Sequence, residues 1–165
     1  DLMPTLPLEV VRMRVRRAAE LGLPYKTYAG IRASSGHDLI GFLFSSNALQ
    51  VLREGQGLPE DRMAKLLGLR HTDCAGLAHR PVTPTHLASL PGIARAHAAP
   101  RFTQSWREMR DHLRTVIQAG GKPADRFVMV GDISFEREWA EVARMAGYLS
   151  ATDFFDGDGS RPILR

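Results

Sequence analysis

Apolar positions along the chain recur with two different periods, and the alternation between them predicts the fold. Leu8, Val11, Val15, Ala18, Ala19 and Leu21 keep roughly helical spacing, and arginines fill most of the other face. Gly22 reads as the cap that ends this helix. Pro24 is placed to start a second one through Tyr25, Tyr28, Ala29 and Arg32 as far as Gly36, with a strand over 25–33 as the alternative.

Asp38 to Phe44 is a short apolar run bounded by turn residues, and a helical pattern follows from Asn47 to Arg53. A buried strand feeding a helix has this form. A short helix is expected from Pro59, with Met63, Leu66 and Leu67 on one side, and a weaker strand over Thr72 to His79. Pro81, Pro84 and Pro91 then divide the chain into turns and short helical pieces.

A longer helix is predicted from Thr103 to Ala119, its inner stripe being Trp106, Met109, Leu113, Val116 and Ile117. The clearest unit is the strand Arg126 to Asp132 with a helix from Ser134 to Ala146 behind it. Phe135, Trp139, Val142 and Ala143 make that helix's inner face, and Ser134 is its expected cap. Tyr148 to Ala151 reads as a last strand. Strands alternating with helices predict a single α/β domain over residues 1–165, with a small, mainly parallel sheet flanked by helices.

At 165 residues and 44% hydrophobic, the chain suffices for one such core. No apolar run reaches the ~20 residues of a membrane helix, and residues 1–7 lack a signal-peptide layout. The expectation is a soluble, cytoplasmic protein. Cys74 is the only cysteine, so no intrachain disulfide is possible. The formal charge of +4 permits an anionic partner without requiring one. Its distribution is uneven: residues 1–37 form a basic helical segment and residues 153–165 an acidic, glycine-containing tail.

In a parallel sheet, ligands sit beyond the carboxyl ends of the strands. Ser45, Ser46 and Asn47 after one strand, and Gly131, Asp132 and Ser134 after another, are therefore the candidate ligand-binding positions. Amides at a helix start, with hydroxyls beside them, suit a phosphate or carboxylate, and Asp132 is the candidate catalytic residue, positioning a cation or a proton. There is no glycine-rich loop with a Lys-Ser/Thr pair, which excludes a P-loop.

The stretch KPADRFVMVGD, Lys122 to Asp132, resembles the late motif of haloacid-dehalogenase-type phosphatases. The resemblance implies a phosphatase-like hydrolase in which an acidic residue after a strand helps to hold magnesium. Such enzymes also need an early Asp-x-Asp nucleophile after a strand. The only Asp-x-Asp here is Asp156-Gly-Asp158, in the tail. A calcium loop there fails as well, because Arg161 stands where glycine is needed and the twelfth position lies past the last residue.

Two other clusters read more plainly. His71, Asp73, Cys74, His79 and His86 include metal-ligand types but lack paired-cysteine spacing, so no metal site or cofactor is assigned. Ser34 to Asp38 gathers hydroxyl, imidazole and carboxylate, yet adjacent residues rarely converge on one target, and a helix stop before a strand accounts for them. No Gly-x-Ser-x-Gly elbow occurs.

Two function classes follow. One is a domain, enzymatic or not, that holds a small anionic, phosphate-bearing ligand between Ser45–Asn47 and Asp132. The other is a nucleic-acid-binding protein with a helix-turn-helix-like segment over Arg16 to Arg32, using Arg12, Arg16, Arg17, Lys26 and Arg32. The sequence names no substrate and no oligomeric state.

Overall fold

A computed structural model describes residues 6–157. The chain opens with two helices, α1 (Leu8–Glu20) and α2 (Tyr25–Ser35). Tyr25 to Ala33 is thus helical, and Gly36 closes α2 at φ 80°, the left-handed conformation that glycine adopts without strain. Five strands follow: β1 (Gly41–Ser45), β2 (Asp73–Ala78), β3 (Arg95–Ala98), β4 (Phe127–Gly131) and β5 (Gly147–Ser150). Between and after them come α3 (Glu60–Gly68), α4 (Pro84–Ala88), α5 (Trp106–Gly120), α6 (Ser134–Val142) and α7 (Ala151–Asp156).

The strands form one sheet in the order β3-β2-β1-β4-β5, and every neighbouring pair is parallel. The fold is α/β, with helices on both faces. Period-two alternation divides the strand side chains between two cores. Phe42, Phe44, Val128 and Val130 face α1, α2, α3, α4 and α7, in a cluster with Leu21, Tyr28, Leu66, Leu87 and Phe154. Leu43, Leu77 and Met129 face α5 and α6, against Met109, Leu113, Val116 and Trp139. Both faces of β1 and β4 are buried, which is why they read as unbroken apolar runs.

Four expectations are corrected. Residues 47–53 form turns rather than a helix: Leu49 N bonds to Ser45 O as a helix would start, but Gln50 then takes φ 58° and the chain leaves helical geometry. Ser134 does not cap α6. It is the exposed first helical residue, and Ile133 occupies the cap without a side-chain bond. In addition, β3 and α7 stand where no element was expected. Trp106 lies on α5 but is 58% exposed, outside the core stripe assigned to it. Among the described residues no helix is long and apolar enough to cross a membrane.

Order fixes where a ligand would sit. The chain moves outward from β1 to β2 to β3, then returns to the other side of β1 for β4 and β5. The switch point therefore lies at the carboxyl ends of β1 and β4, the crevice where such sheets take ligands. The opposite end of β1 is closed by backbone. A Cβ placed on Gly41 would stand 1.8 Å from the Asp73 carbonyl oxygen, in the first pair of the β1–β2 register. No rotamer change relieves a clash with backbone, so Gly41→Ala is expected to destabilise the protein by about 3 kcal/mol. Urea denaturation checks this, with the midpoint lowered and the slope unchanged.

Candidate functional site around Glu136

Four chain segments meet at one carboxylate. Glu136 is in the first turn of α6 and is 0% exposed. Its Oε1 accepts hydrogen bonds from Ser45 Oγ at 2.7 Å and from the Asp132 amide at 2.8 Å. Its Oε2 accepts from Asn47 Nδ2 at 2.8 Å and pairs with His79 Nε2 at 2.6 Å. These partners come from the carboxyl ends of β1, β2 and β4, so the carboxylate joins three strands across the switch point.

The carboxylate lies where a helix start favours negative charge. Burial alone would push its pKa up, but the bonds from His79, Ser45, the Asp132 amide and Asn47 outweigh burial and hold the carboxyl below its ordinary range. Glu136 is thus ionised at neutral pH, and an ionised carboxylate can only accept. His79 Nε2 therefore carries the proton in this pair.

The same cluster accounts for the remaining serine. Ser46 is 1% exposed, and its Oγ accepts from the His79 amide. Ser45 Oγ, besides donating to Glu136, accepts from the Ala48 amide. Gly131 is required by proximity: a Cβ there would lie 2.9 Å from the Glu136 Cβ and 2.9 Å from Tyr148 Cε1. The structure therefore brings Ser45, Asn47, Gly131 and the Asp132 backbone together, as the sequence reading expects. It gives Ser45, Ser46 and Gly131 internal roles, leaves the Asp132 and Ser134 side chains exposed, and replaces the expected helix amides at residue 47 with a turn.

An open cleft of about 730 Å³ begins where this cluster ends. Asn47 and His79 belong to both. From there the cleft runs over the ends of β2 and β3, past Arg80, Arg101 and His112. Glu108 is the one carboxylate in its lining, and its Oε1 accepts from the Ser105 amide in a capping box that starts α5. The loop that carries Arg101 is tied at both ends: Ala99 N bonds to Ala78 O, Arg101 N to Gln104 Oε1, and His112 Nε2 donates to Ala98 O. A second groove of about 620 Å³, between α5 and α6, shares no lining residue with this cleft.

The sequence reading misses Glu136, Arg80, Arg101 and His112. The sequence carries one signal for Glu136, an acidic residue one step from Phe135 and three from Trp139 on the inner face of a predicted helix. The arginines left no periodic trace, because they lie in loops.

The other candidates disperse. His86 Nε2 bonds to Gln56 O, and Asp73 holds Arg95 and Lys122. Cys74 is buried, which pushes its thiol up to about 12 and makes it inert at neutral pH. Among the described residues no group of three or more His, Cys, Asp or Glu is placed to hold a metal ion. Magnesium, implied by the phosphatase resemblance, does not fit this donor set. No carboxylate stands at the end of β1, and both Glu136 oxygens are already engaged. The Asp156-to-Ser160 stretch weighed as a calcium loop lies largely outside the described residues.

In the basic N-terminal segment, Arg17 bonds to the Leu39 and His71 carbonyls and pairs with Glu20 and Asp38. Arg32 also reaches Asp38, to which Tyr28 donates, and Arg12 pairs with Glu9. Arg16 and Lys26 are exposed. Ser34 and Ser35 end α2 and Gly36 to Asp38 lead from it toward β1, with the Ser35 hydroxyl bonded to the His37 backbone. No protein-family model, curated protein or solved structure matches the chain.

Replacing Glu136 with Gln keeps its shape but turns an amide NH₂ toward groups that donate. The expected loss is about 3 kcal/mol, the cost of leaving buried donors that served a charged acceptor without their partner. The sign of the pH dependence follows from the lowered folded-state pKa. Ionised Glu136 contributes stability above its unfolded pKa, ~4.3, and that contribution disappears as pH falls through the lower folded value. Melting temperatures from pH 7 to 3 should fall more steeply at the acid end for the wild type than for Glu136→Gln.

Proposed function

We propose that the protein binds a small anionic, phosphate-bearing ligand in the cleft beside Glu136. The observation that carries this reading is the sharing of Asn47 and His79 between the buried cluster and the cleft wall. Their side chains are held by a fixed carboxylate and need little further ordering when a ligand arrives, which lowers the cost of binding. Arg80 and Arg101 supply planar forks of donors, the geometry that pairs best with phosphate oxygens. Cationic and polar residues dominate the wall, and Glu108 alone opposes them.

Nothing in the cluster requires turnover. Ser45 donates to a carboxylate held below its ordinary pKa range, and so weakened as a general base, which leaves the serine oxygen poorly activated as a nucleophile. The reading is therefore binding, with Arg80, Arg101, His79 and Asn47 as ligand contacts and Glu136 as their positioning residue. A second reading, nucleic-acid binding through α1 and α2, is supported by the exposure of Arg12, Arg16 and Lys26. It is weaker, because Arg17 and Arg32 are committed to Asp38.

Titration with inorganic phosphate, followed by amide chemical shifts, separates the two. The cleft reading expects saturable shifts at residues 79, 80 and 99–104, and about tenfold weaker binding in Arg101→Ala. Shifts confined to residues 12–32, or an affinity unmoved by Arg101→Ala, would reject it. Under the second reading, affinity for a DNA duplex should fall steeply with salt and on Arg16→Ala or Lys26→Ala.

A further inference from the structure

The cleft is far larger than a bare oxyanion needs, and its volume falls in the range that takes a whole small molecule. One wall residue keeps most of a large apolar ring in water. Phe102 is 69% exposed, although burial of a phenyl ring stabilises a fold. The ring is held out rather than left loose. One of its faces stacks on Phe135, with centroids 4.3 Å apart and planes 23° from parallel. Phe135 in turn meets Trp139 edge-on at 5.4 Å, and Trp139 lies 5.4 Å from the His79 ring.

An aromatic series therefore runs from the rim of the cleft to the side chain anchored on Glu136. The backbone beneath Phe102 is equally restrained, by the Arg101–Gln104 bond on one side and the Ser105–Glu108 capping box on the other. Phe102 thus presents a ring supported from behind, in the same cleft wall as Arg80 and Arg101. A second ring stacking on it would bury apolar surface that the fold leaves in water, with little reordering.

We propose that the ligand is a phosphate ester carried on a planar aromatic ring, the phosphate held by Arg101, Arg80 and the Asn47 amide and the ring stacked on Phe102. This rests on the anion-binding reading above and adds the chemistry of the ligand's other end. The ring has two possible sources, a simple aryl group or a nucleobase, and the probes distinguish them.

Calorimetric titration of the full chain with methyl phosphate, phenyl phosphate and a nucleoside 5′-monophosphate tests it. Phenyl phosphate should bind about tenfold more tightly than methyl phosphate. Phe102→Ala should remove that difference, bringing phenyl phosphate down to the affinity that the same variant has for methyl phosphate. Phe102→Trp should keep it. A nucleoside monophosphate stronger than phenyl phosphate assigns the ring to a nucleobase, and the reverse order assigns it to an aryl group. Equal affinities for methyl and phenyl phosphate, both still weakened by Arg101→Ala, would overturn the aromatic assignment and leave anion binding standing. If none of the three probes binds, both fall.

Discussion

Burying a carboxylate beneath the ends of a parallel sheet is expensive, and much of the upper half of this molecule is arranged around that expense. A fully buried ion costs several kcal/mol unless its lone pairs are taken up, and Glu136 has no water to turn to. Its four partners come from places that only the finished sheet brings together: the end of β1, the turn after it, the end of β2 and the amide that follows β4. Two of them have a second duty: Ser45 Oγ accepts from the Ala48 amide, and the His79 amide donates to Ser46 Oγ. Side chains and turns at the switch point are thus settled together, and a shift in strand register would separate the partners from the charge.

That constraint explains which parts of the fold were legible. β1 and β4 were read from their apolar runs because both faces are covered, and burial on both faces is a property of composition. The helical spacing of α5 and α6 reported their inner faces in the same way, apart from Trp106, whose period matched the stripe while its position at the first turn of α5 left it outside; in α1 the spacing misled, since Ala18 is buried but Leu8 and Val15 are exposed. β3 could not be read. It is a four-residue edge strand, RAHA, with half-exposed positions, and only pairing with β2 makes it a strand. The turn at 47–53 misled for a different reason. Ser45, Ser46 and Asn47 are good helix starters in isolation, and their side chains are committed elsewhere by residues about thirty to ninety positions away in sequence.

The candidate site was half legible on the same grounds. Strand ends are local features, so Ser45, Asn47 and Gly131 were found. Glu136 is recognisable only when something is known to lie above it, since a charge in the first turn of a helix is ordinarily a solvated one. The cationic wall was hidden more completely. Arg80 and Arg101 follow different strands, and the sequence excess of arginine in residues 1–37 pointed elsewhere, to positions where Arg17 and Arg32 turn out to fasten the first two helices to Asp38.

A buried negative charge beside a proposed anion site would repel the ligand if it faced the cleft, and the geometry resolves the difficulty. Glu136 is not exposed to the cleft at all. What faces the cleft is the layer of groups bonded to it, Asn47 and His79, with the carboxylate's four hydrogen-bond partners already spread over its two oxygens. A carboxylate whose lone pairs are filled by oriented donors fixes those donors in place, and its own field is offset by the dipoles turned toward it. The arginines stand farther out on flexible stems, where their charge is not consumed by the cluster. Positioning and attraction are thereby divided between two sets of residues, a rigid inner layer tied to Glu136 and a cationic outer one, and a ligand bound between them would meet both layers without confronting the carboxylate.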